Sequence, residues 1–391
     1  MENLTIFFSS RSNVNTGKGG AYFSLIVYKK ILSNAYSPKL IHLNALMHKT
    51  VIDEETDLLL SPLDSNNQNY RKLKTYFKEV KPVVFISFSN HPLILYVRWL
   101  CLINKCKFIY VKAGGPNYHL EQFYKNVIFF SKENYLFCEG SSYVKAFRSR
   151  YVKAFTISNR INPFVINEKR LLDLQSIHTY PTNNVIKILR VSRLNKTYLP
   201  VFLATINLHK CLQDRGIAVM THLIGYEEDK SITSAIKNAI GATEGITLYT
   251  EDYYTHNSKE LIPLYDIVVG IGRGFWEGVA CDKFTLGYTN NADIPVLVTK
   301  DNIEIFKEYN FSTRVNLPEA DTFIDNINIF TSLSNRMNYI KFLKNEFDEN
   351  YSTTTLNQKL EKALNESEYE TLGLLVKSII FVIYTTTKNS L

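Results

Sequence analysis

Two series of alternating strands and helices, separated by one break in periodicity, predict an α/β protein built from two doubly wound, Rossmann-like domains. Three observations carry this. Short continuous apolar runs such as Val83–Phe88 and Ile267–Val269 have the pattern of parallel strands buried on both faces. Segments of helical length alternate with them, giving βαβα order. Glycine-rich turns follow several of the runs, at the strand ends where an open parallel sheet binds its ligands. At 391 residues, the chain is long enough for two separate cores.

In the first series, Leu4–Ser9 is a strand leading into SRSNVNTGKGG, Ala21–Leu32 is a helix and Lys39–Asn44 a second strand. Asp53–Asn69 is polar and reads as a loop, followed by a helix over Tyr70–Val80. Val83–Phe88 is a buried strand, Pro92–Asn104 a helix and Lys107–Lys112 another strand. A short helix over Glu121–Lys125, a strand over Tyr135–Cys138, a helix over Ser141–Arg150 and a strand over Ala154–Ser158 complete it. Between Pro163 and Asn184 the periodicity breaks, leaving a short helix near Glu168–Leu174. The expected divisions are a first domain at 1–162, a linker at 163–184, a second domain at 185–355 and terminal helices at 356–391.

The second series runs through a strand at Val185–Val191, a helix at Leu199–Gln213, a strand at Val219–Ile224, a helix at Ser231–Ala239 and a strand at Ile246–Tyr249. It then enters Tyr265–Tyr288, YDIVVGIGRGFWEGVACDKFTLGY. That stretch reads as a strand, a turn containing Gly270, Gly272 and Gly274, a helix, and a last apolar run at Phe284–Leu286. Ala320–Leu333, Arg336–Phe347 and Ser352–Ala363 look helical, as does Leu372–Tyr384.

Composition excludes several classes. Charged residues at 21% and hydrophobic ones at 45% fit an ordinary soluble globular protein. MENLTIFFSS lacks a basic region before its short apolar run, so it reads as a first strand and not a signal peptide. The five cysteines, Cys101, Cys106, Cys138, Cys211 and Cys281, are odd in number and form no CxxC pair. A zinc site or disulfide framework is therefore not expected, and a reducing cytoplasm is. Leu372–Tyr384 is too short to span a bilayer, though a helix lying on a membrane surface would look the same.

The glycine turn at Gly270–Gly274 lets backbone N–H groups approach a ligand, and a helix N-terminus behind it favours negative charge. Glu277, placed in the first helical turn, suits the hydroxyls of a sugar. The alternative is a turn whose glycines only permit tight packing. A dinucleotide fingerprint is disfavoured, because the glycines come late in the series and the acid lies inside the motif helix. Gly17, Lys18, Gly19 and Gly20 after the first strand do not form a Walker A loop, since no Ser or Thr follows the lysine.

Taken together, these stations resemble the GT-B-fold glycosyltransferases, notably the retaining family 4. Those enzymes carry Glu-Gly-Phe-Gly followed four residues later by Glu-Ala-Met-Ala. Val269-Gly270-Ile271-Gly272 stands in the first place and Glu277-Gly278-Val279-Ala280 in the second. The second glutamate matches, while Val269 replaces the first; Arg273 is the residue expected to take over part of its contact with the donor sugar. The family's glycine pair after the first strand corresponds to Gly19 and Gly20, against the donor phosphates and the acceptor. Ala113-Gly114-Gly115-Pro116-Asn117 falls where many members place a histidine, with His119 close behind; His91 is the other histidine at a strand end. Either histidine is a catalytic candidate, with a structural role as the alternative. Ser131–Asn134 and Asn159-Arg160-Ile161 resemble two further stations, for which helix capping and turn chemistry are the alternative. Arg193 and Lys196 resemble the basic pair that neutralises the diphosphate, and His222–Gly225 resembles the strand that ends in glycine.

The resemblance implies two domains facing across a cleft, with the last helices returning to the first. It also implies transfer of a sugar from a UDP or GDP type donor to an acceptor hydroxyl, with retention of configuration and without a metal. Glu227, Glu228 and Asp229 are read as a solvated turn and not as a metal-binding acid pair. Residues 1–165 hold 22 Lys and Arg against 10 Asp and Glu, leaving 23 against 27 in the remainder. The resemblance makes the basic half the acceptor side, and no nucleic-acid module accompanies it. An anionic acceptor is expected, a phosphorylated or lipid-linked glycan at the inner membrane face, in surface polysaccharide or glycolipid assembly, with an ordinary solvated surface as the alternative. The alternatives are a nucleotide-sugar epimerase of the same fold and a sugar-binding protein without catalysis.

Overall fold

A computed structural model of the chain describes residues 1–9, 20–44, 50, 52–88, 93–112, 134–137, 153–156, 185–255, 258–318, 322–367, 369, 371–373 and 376. The chain divides into two compact units, Met1–Asn159 with Thr353–Leu391, and Arg160–Ser352. The expected linker at 163–184 and the helices expected at Glu121–Lys125, Ser141–Arg150 and Glu168–Leu174 lie outside the described residues, as does most of Leu372–Tyr384.

The first unit contains β1 (Glu2–Ser9), β2 (Tyr36–Leu43), β3 (Leu58–Leu60), β4 (Val84–Ser87), β5 (Lys107–Lys112), β6 (Asn134–Phe137) and β7 (Lys153–Thr156). All pair in parallel in the order β3-β2-β1-β4-β5-β6-β7. Helices α1 (Gly20–Leu32), α2 (Asn66–Val80) and α3 (Leu93–Ile103) alternate with the first strands. The core under α2 and α3 is aromatic, with the Phe77, Phe85 and Phe108 rings stacked at 5.7 and 6.2 Å.

The loop expected over Asp53–Asn69 is corrected at both ends. Leu58–Leu60 forms the edge strand β3, and α2 begins at Asn66 instead of Tyr70. A capping box sets that start: the Ser65 hydroxyl accepts the Gln68 N–H at 3.3 Å, and the Gln68 side chain accepts the Ser65 N–H at 2.9 Å. The polar run Asn66–Asn69 carries no apolar period, so the cap was the signal available. The helix ends on Lys81 in the left-handed region, at φ 50°. The final described helix, α10 (Thr353–Glu366, numbered after the second unit's), belongs to the first unit. Lys107 Nζ donates to the Leu364 carbonyl at 2.9 Å, and Tyr369 bridges to Lys107.

The second unit contains β8 (Ile186–Val191), β9 (Val219–Ile224), β10 (Ile246–Tyr249), β11 (Ile267–Val269) and β12 (Phe284–Leu286), parallel throughout in the order β10-β9-β8-β11-β12. Among its described residues the helices, besides a single turn at Asp252–Thr255, are α4 (Leu199–Asp214), α5 (Lys230–Ile240), α6 (Arg273–Ala280), α7 (Ile303–Glu308), α8 (Ile327–Thr331) and α9 (Leu333–Asn350). The helix expected over Ala320–Leu333 shrinks to α8. Ser332 is extended, and its hydroxyl accepts the Asn335 N–H, so it starts α9 and ends α8.

Both sheets reverse strand order beside their first strand, between β1 and β4 and between β8 and β11. In an open α/β sheet this switch point opens a crevice outside the carboxyl ends of the two strands. In the second unit, the loops after β8 and β11 therefore flank that crevice. Among the described residues, no helix is long and apolar enough to cross a membrane.

Candidate functional site at the switch point of the second unit

The loop after β8 is Ser192–Tyr198, and its shape is fixed by the chain that follows β9. Leu194 is fully buried and its N–H donates to the Tyr226 carbonyl at 2.8 Å. Gly225 makes this approach possible: a Cβ there would lie 2.5 Å from both Leu194 Cδ2 and the Ser192 carbonyl oxygen. The strand-ending glycine of His222–Gly225 is thus a packing requirement. His222 is buried too, its Nδ1 hydrogen-bonded to the Tyr265 hydroxyl at 2.7 Å.

Arg193 extends from this loop with its guanidinium held on two sides. Nη1 donates to Glu228 Oε1 at 3.0 Å and Nη2 to the Tyr198 hydroxyl at 3.2 Å, with the Tyr198 ring 5.4 Å away. Glu228 Oε2 accepts from Asn195 Nδ2 at 2.7 Å. Burial opposes the charge on Arg193, but Tyr198 and Glu228 outweigh it and hold the guanidinium above its ordinary range. The solvated turn expected over Glu227–Asp229 is therefore corrected. The Glu228 side chain is 11% exposed and serves as the anchor of the loop, while Asp229 accepts the Ser231 N–H and caps α5. Lys196 is exposed and stands apart from this arrangement.

The loop after β11 is Gly270-Ile271-Gly272, and α6 opens at Arg273. The N–H groups of the three glycines are used inside the protein: Gly270 donates to Leu286, Gly272 to Phe311 and Gly274 to Ile271. These three amides are thus engaged in holding the turn itself. Gly270 is there for packing, since a Cβ would fall 2.3 Å from Phe275 Cα. Gly272 takes φ +52° at the helix entry, and Gly274 has open space where a Cβ would be. Glu277 is the fifth residue of α6, in its second turn and not its first. Its Oε1 accepts from Arg273 Nε at 2.7 Å, and both side chains are mostly buried. Sequence reasoning placed Arg273 and Glu277 side by side as ligand contacts; the structure joins them as an ion pair.

Lys259, in the 3-10 turn Ser258–Leu264, was missed. Burial first, and then Arg273 beside it, hold its ammonium below the ordinary lysine range, against the pull of Glu277 and Glu260. Two features could have pointed to the site's missed residues: an acid run opposite Arg193 across the next strand, and a lysine just ahead of the motif strand. Burial pushes the Cys281 thiol, at the end of α6, up to about 12.

In the first unit Gly20 is the first residue of α1. His91, His119, Gly19, Gly114 and Gly115 lie outside the described residues, with the stations at Ser131–Glu133 and Asn159–Ile161. The structure instead shows a histidine that sequence reading passed over. His42, at the carboxyl end of β2, is fully buried with Nδ1 2.7 Å from Asp53 Oδ1. Asp53 also accepts the Thr50 N–H at 2.7 Å and its hydroxyl at 2.9 Å. Burial outweighs the carboxylate and keeps His42 below its usual range, so the dyad closes a loop as a neutral ring on an anion.

No family model matches the chain, and no curated protein does. Solved structures match over nearly the whole length. A glycosyltransferase from Rickettsia africae superposes with a TM-score of 0.63 at 16% identity, covering 93% of this chain and 98% of that one. Anabaena HepE, solved with UDP and glucose, gives 0.58 at 13% identity over 94% and 100%. TarM of S. aureus, solved with UDP, alpha-GlcNAc-glycerol and fondaparinux, gives 0.56 at 10% identity over 94% and 100%. The fold is that of the GT-B glycosyltransferases: two parallel, doubly wound α/β units in one chain.

Proposed function

We propose that the protein is a glycosyltransferase that moves a sugar from a nucleoside diphosphate to an acceptor hydroxyl. The observation that carries this is the pairing of two preset groups on adjacent strands of a GT-B fold. After β8 stands Arg193, oriented by Glu228 and Tyr198; after β11 stands the Arg273–Glu277 pair. A cation fixed before the ligand arrives needs no reorganisation when negative charge develops on the departing diphosphate. With arginine supplying that charge, the reaction is read as metal-independent, and retention of configuration follows from the family resemblance. The donor is of UDP or GDP type. The test is release of free nucleotide from a panel of UDP- and GDP-sugars, with glycan acceptors and with EDTA present. Binding without release would make the protein a sugar-nucleotide binder, and conversion of the donor without acceptor would make it an epimerase.

Glu277 is assigned to the ribose or sugar hydroxyls, through the oxygen that Arg273 does not occupy. Glu277→Ala is expected to keep the fold and weaken UDP or GDP binding by about 1–3 kcal/mol, the worth of a charge-assisted hydrogen-bond pair. Calorimetry showing unchanged affinity in the folded variant would remove Glu277 from the site.

The acceptor is read as an anionic, lipid-linked or phosphorylated glycan of bacterial surface polysaccharide or glycolipid assembly, met at the cytoplasmic membrane face. The excess of basic charge lies in residues 1–165. Within it, α2 exposes Arg71, Lys72, Lys74 and Lys78. Next to α2, α3 exposes Trp99 and Ile103; the Trp99 ring stacks on Tyr96 at 5.5 Å, and Tyr70 packs tilted against Tyr96 at 4.5 Å. Aromatic rings beside lysines are the composition that favours a bilayer interface, each cation adding roughly 1 kcal/mol on anionic lipid. Sedimentation with phosphatidylglycerol vesicles should show binding that falls steeply with salt and drops in Lys74→Glu/Lys78→Glu and Trp99→Ala. Equal binding to phosphatidylcholine vesicles, or none to either, would favour a soluble acceptor.

A further inference from the structure

Arg190 is the penultimate residue of β8, the strand at the centre of the second sheet, and it is fully buried. Its Nη1 donates to the Val269 carbonyl at 3.1 Å, and its Cζ lies 5.4 Å from the centre of the Phe202 ring. Nε and Nη2 are buried and have no hydrogen-bond partner among the described residues. Burial pulls the guanidinium down to about 9, which leaves it a cation at neutral pH.

This is an expensive arrangement for a residue that only fills space. A buried cation with one neutral acceptor is normally improved by an apolar side chain of the same volume, and the neighbours Ile188 and Leu189 show that the strand accepts such residues. The position is also specific. Val269 is the residue ahead of Gly270, so the guanidinium lies directly against the peptide that begins the glycine turn, at the switch point between β8 and β11. Two N–H groups of one guanidinium present a fork that matches a pair of oxygens on a phosphate or carboxylate.

We infer that Arg190 is a second diphosphate-binding cation of the donor site, with Nε and Nη2 the donors left over for phosphate oxygen beside the Val269–Gly270 turn. This rests on the reading of the switch point as a donor site. Arg193 meets the diphosphate from the loop, and Arg190 meets it from the sheet. The cost of keeping the cation unmatched in the free protein is recovered on binding, so ligand affinity and ligand-free stability are set against each other at this one residue.

The experiment is calorimetry and thermal unfolding of the full chain with inorganic pyrophosphate, orthophosphate, UDP and GDP at constant ionic strength, in wild type, Arg190→Met and Arg190→Lys. Arg190→Met should unfold at the same or a higher temperature without ligand, yet bind pyrophosphate and the preferred nucleotide at least tenfold more weakly. Arg190→Lys should fall between the two. Wild-type affinities in Arg190→Met would overturn the inference while leaving the donor site standing. Weaker binding with a lower ligand-free melting temperature in both variants would make Arg190 structural and overturn it as well. Orthophosphate bound alone, without pyrophosphate or nucleotide, would overturn the assignment to diphosphate. If wild type bound none of the four, this inference and the donor-site reading would fall together.

Discussion

Arg193→Ala is expected to lower kcat by about a hundredfold while raising the donor KM by less than tenfold. Removing one preset donor from a developing anion costs roughly that much in kcat. The direction of the split follows from when the contact strengthens. Charge on the diphosphate grows as the glycosidic bond breaks, so the lost interaction is larger in the transition state than in the bound donor. Glu228 bears on the same effect from behind. It holds Arg193 at 3.0 Å and Asn195 at 2.7 Å, so it both fixes the guanidinium and draws off part of its charge. Glu228→Gln should therefore lower kcat less than Arg193→Ala, and the double variant should cost less than the sum of the two. Steady-state kinetics in which Arg193→Ala moves KM alone would demote Arg193 to ground-state binding.

What was legible in the sequence follows from the range over which each feature acts. The strand, glycine turn and helix of Ile267–Ala280 were legible because three local signals coincide there: an apolar run, glycines and a helical period. Ile246–Tyr249 and Val219–Ile224 were legible from one of these signals alone, each a short apolar run between polar turns. β3 was not, since three leucines in a polar stretch carry no period, and their strand forms only because β2 offers an edge. The partners within the site were hidden by distance along the chain. Glu228 reaches Arg193 across 35 residues, and only the parallel pairing of β8 with β9 brings them together. The Arg273–Glu277 pair needed no topology, only the four-residue spacing of a helix, and could have been read directly. Arg190 was visible as a cation in the apolar run ILRV, a local conflict of the kind that marks function, but its burial could not be read. For the glycines, the sequence left packing and binding as alternatives, and the structure assigns different roles to different members of the motif.

Two substitutions in that motif separate these roles. Gly270→Ala should abolish the native fold of the second unit, while Gly274→Ala should leave it intact. At Gly270 a Cβ would sit 2.3 Å from Phe275 Cα, 2.6 Å from its N and 2.9 Å from the Gly274 carbonyl carbon. All three atoms are backbone in the first turn of α6, so no side-chain rotation relieves the overlap. The helix itself has to leave β11, and it carries Phe275 and Trp276, both buried in the main core, with Trp276 stacked 3.9 Å from Tyr351. Overpacking that a side chain can absorb costs about 1–3 kcal/mol, and a backbone collision at a helix entry exceeds it. Loss of the cooperative melting transition, or insoluble protein, is the expected outcome for Gly270→Ala; a melting temperature within a few degrees of wild type would show that the turn adapts. At Gly274 nothing lies within 4 Å of the added carbon, and alanine is the better helix former by about 1 kcal/mol. Gly274→Ala should therefore unfold at the same or a higher temperature. Its effect on nucleotide binding then reports on the space above the first turn of α6. A donor diphosphate lying there would meet the new methyl and lose affinity, whereas unchanged UDP and GDP binding would place the diphosphate over Arg193 and away from this helix.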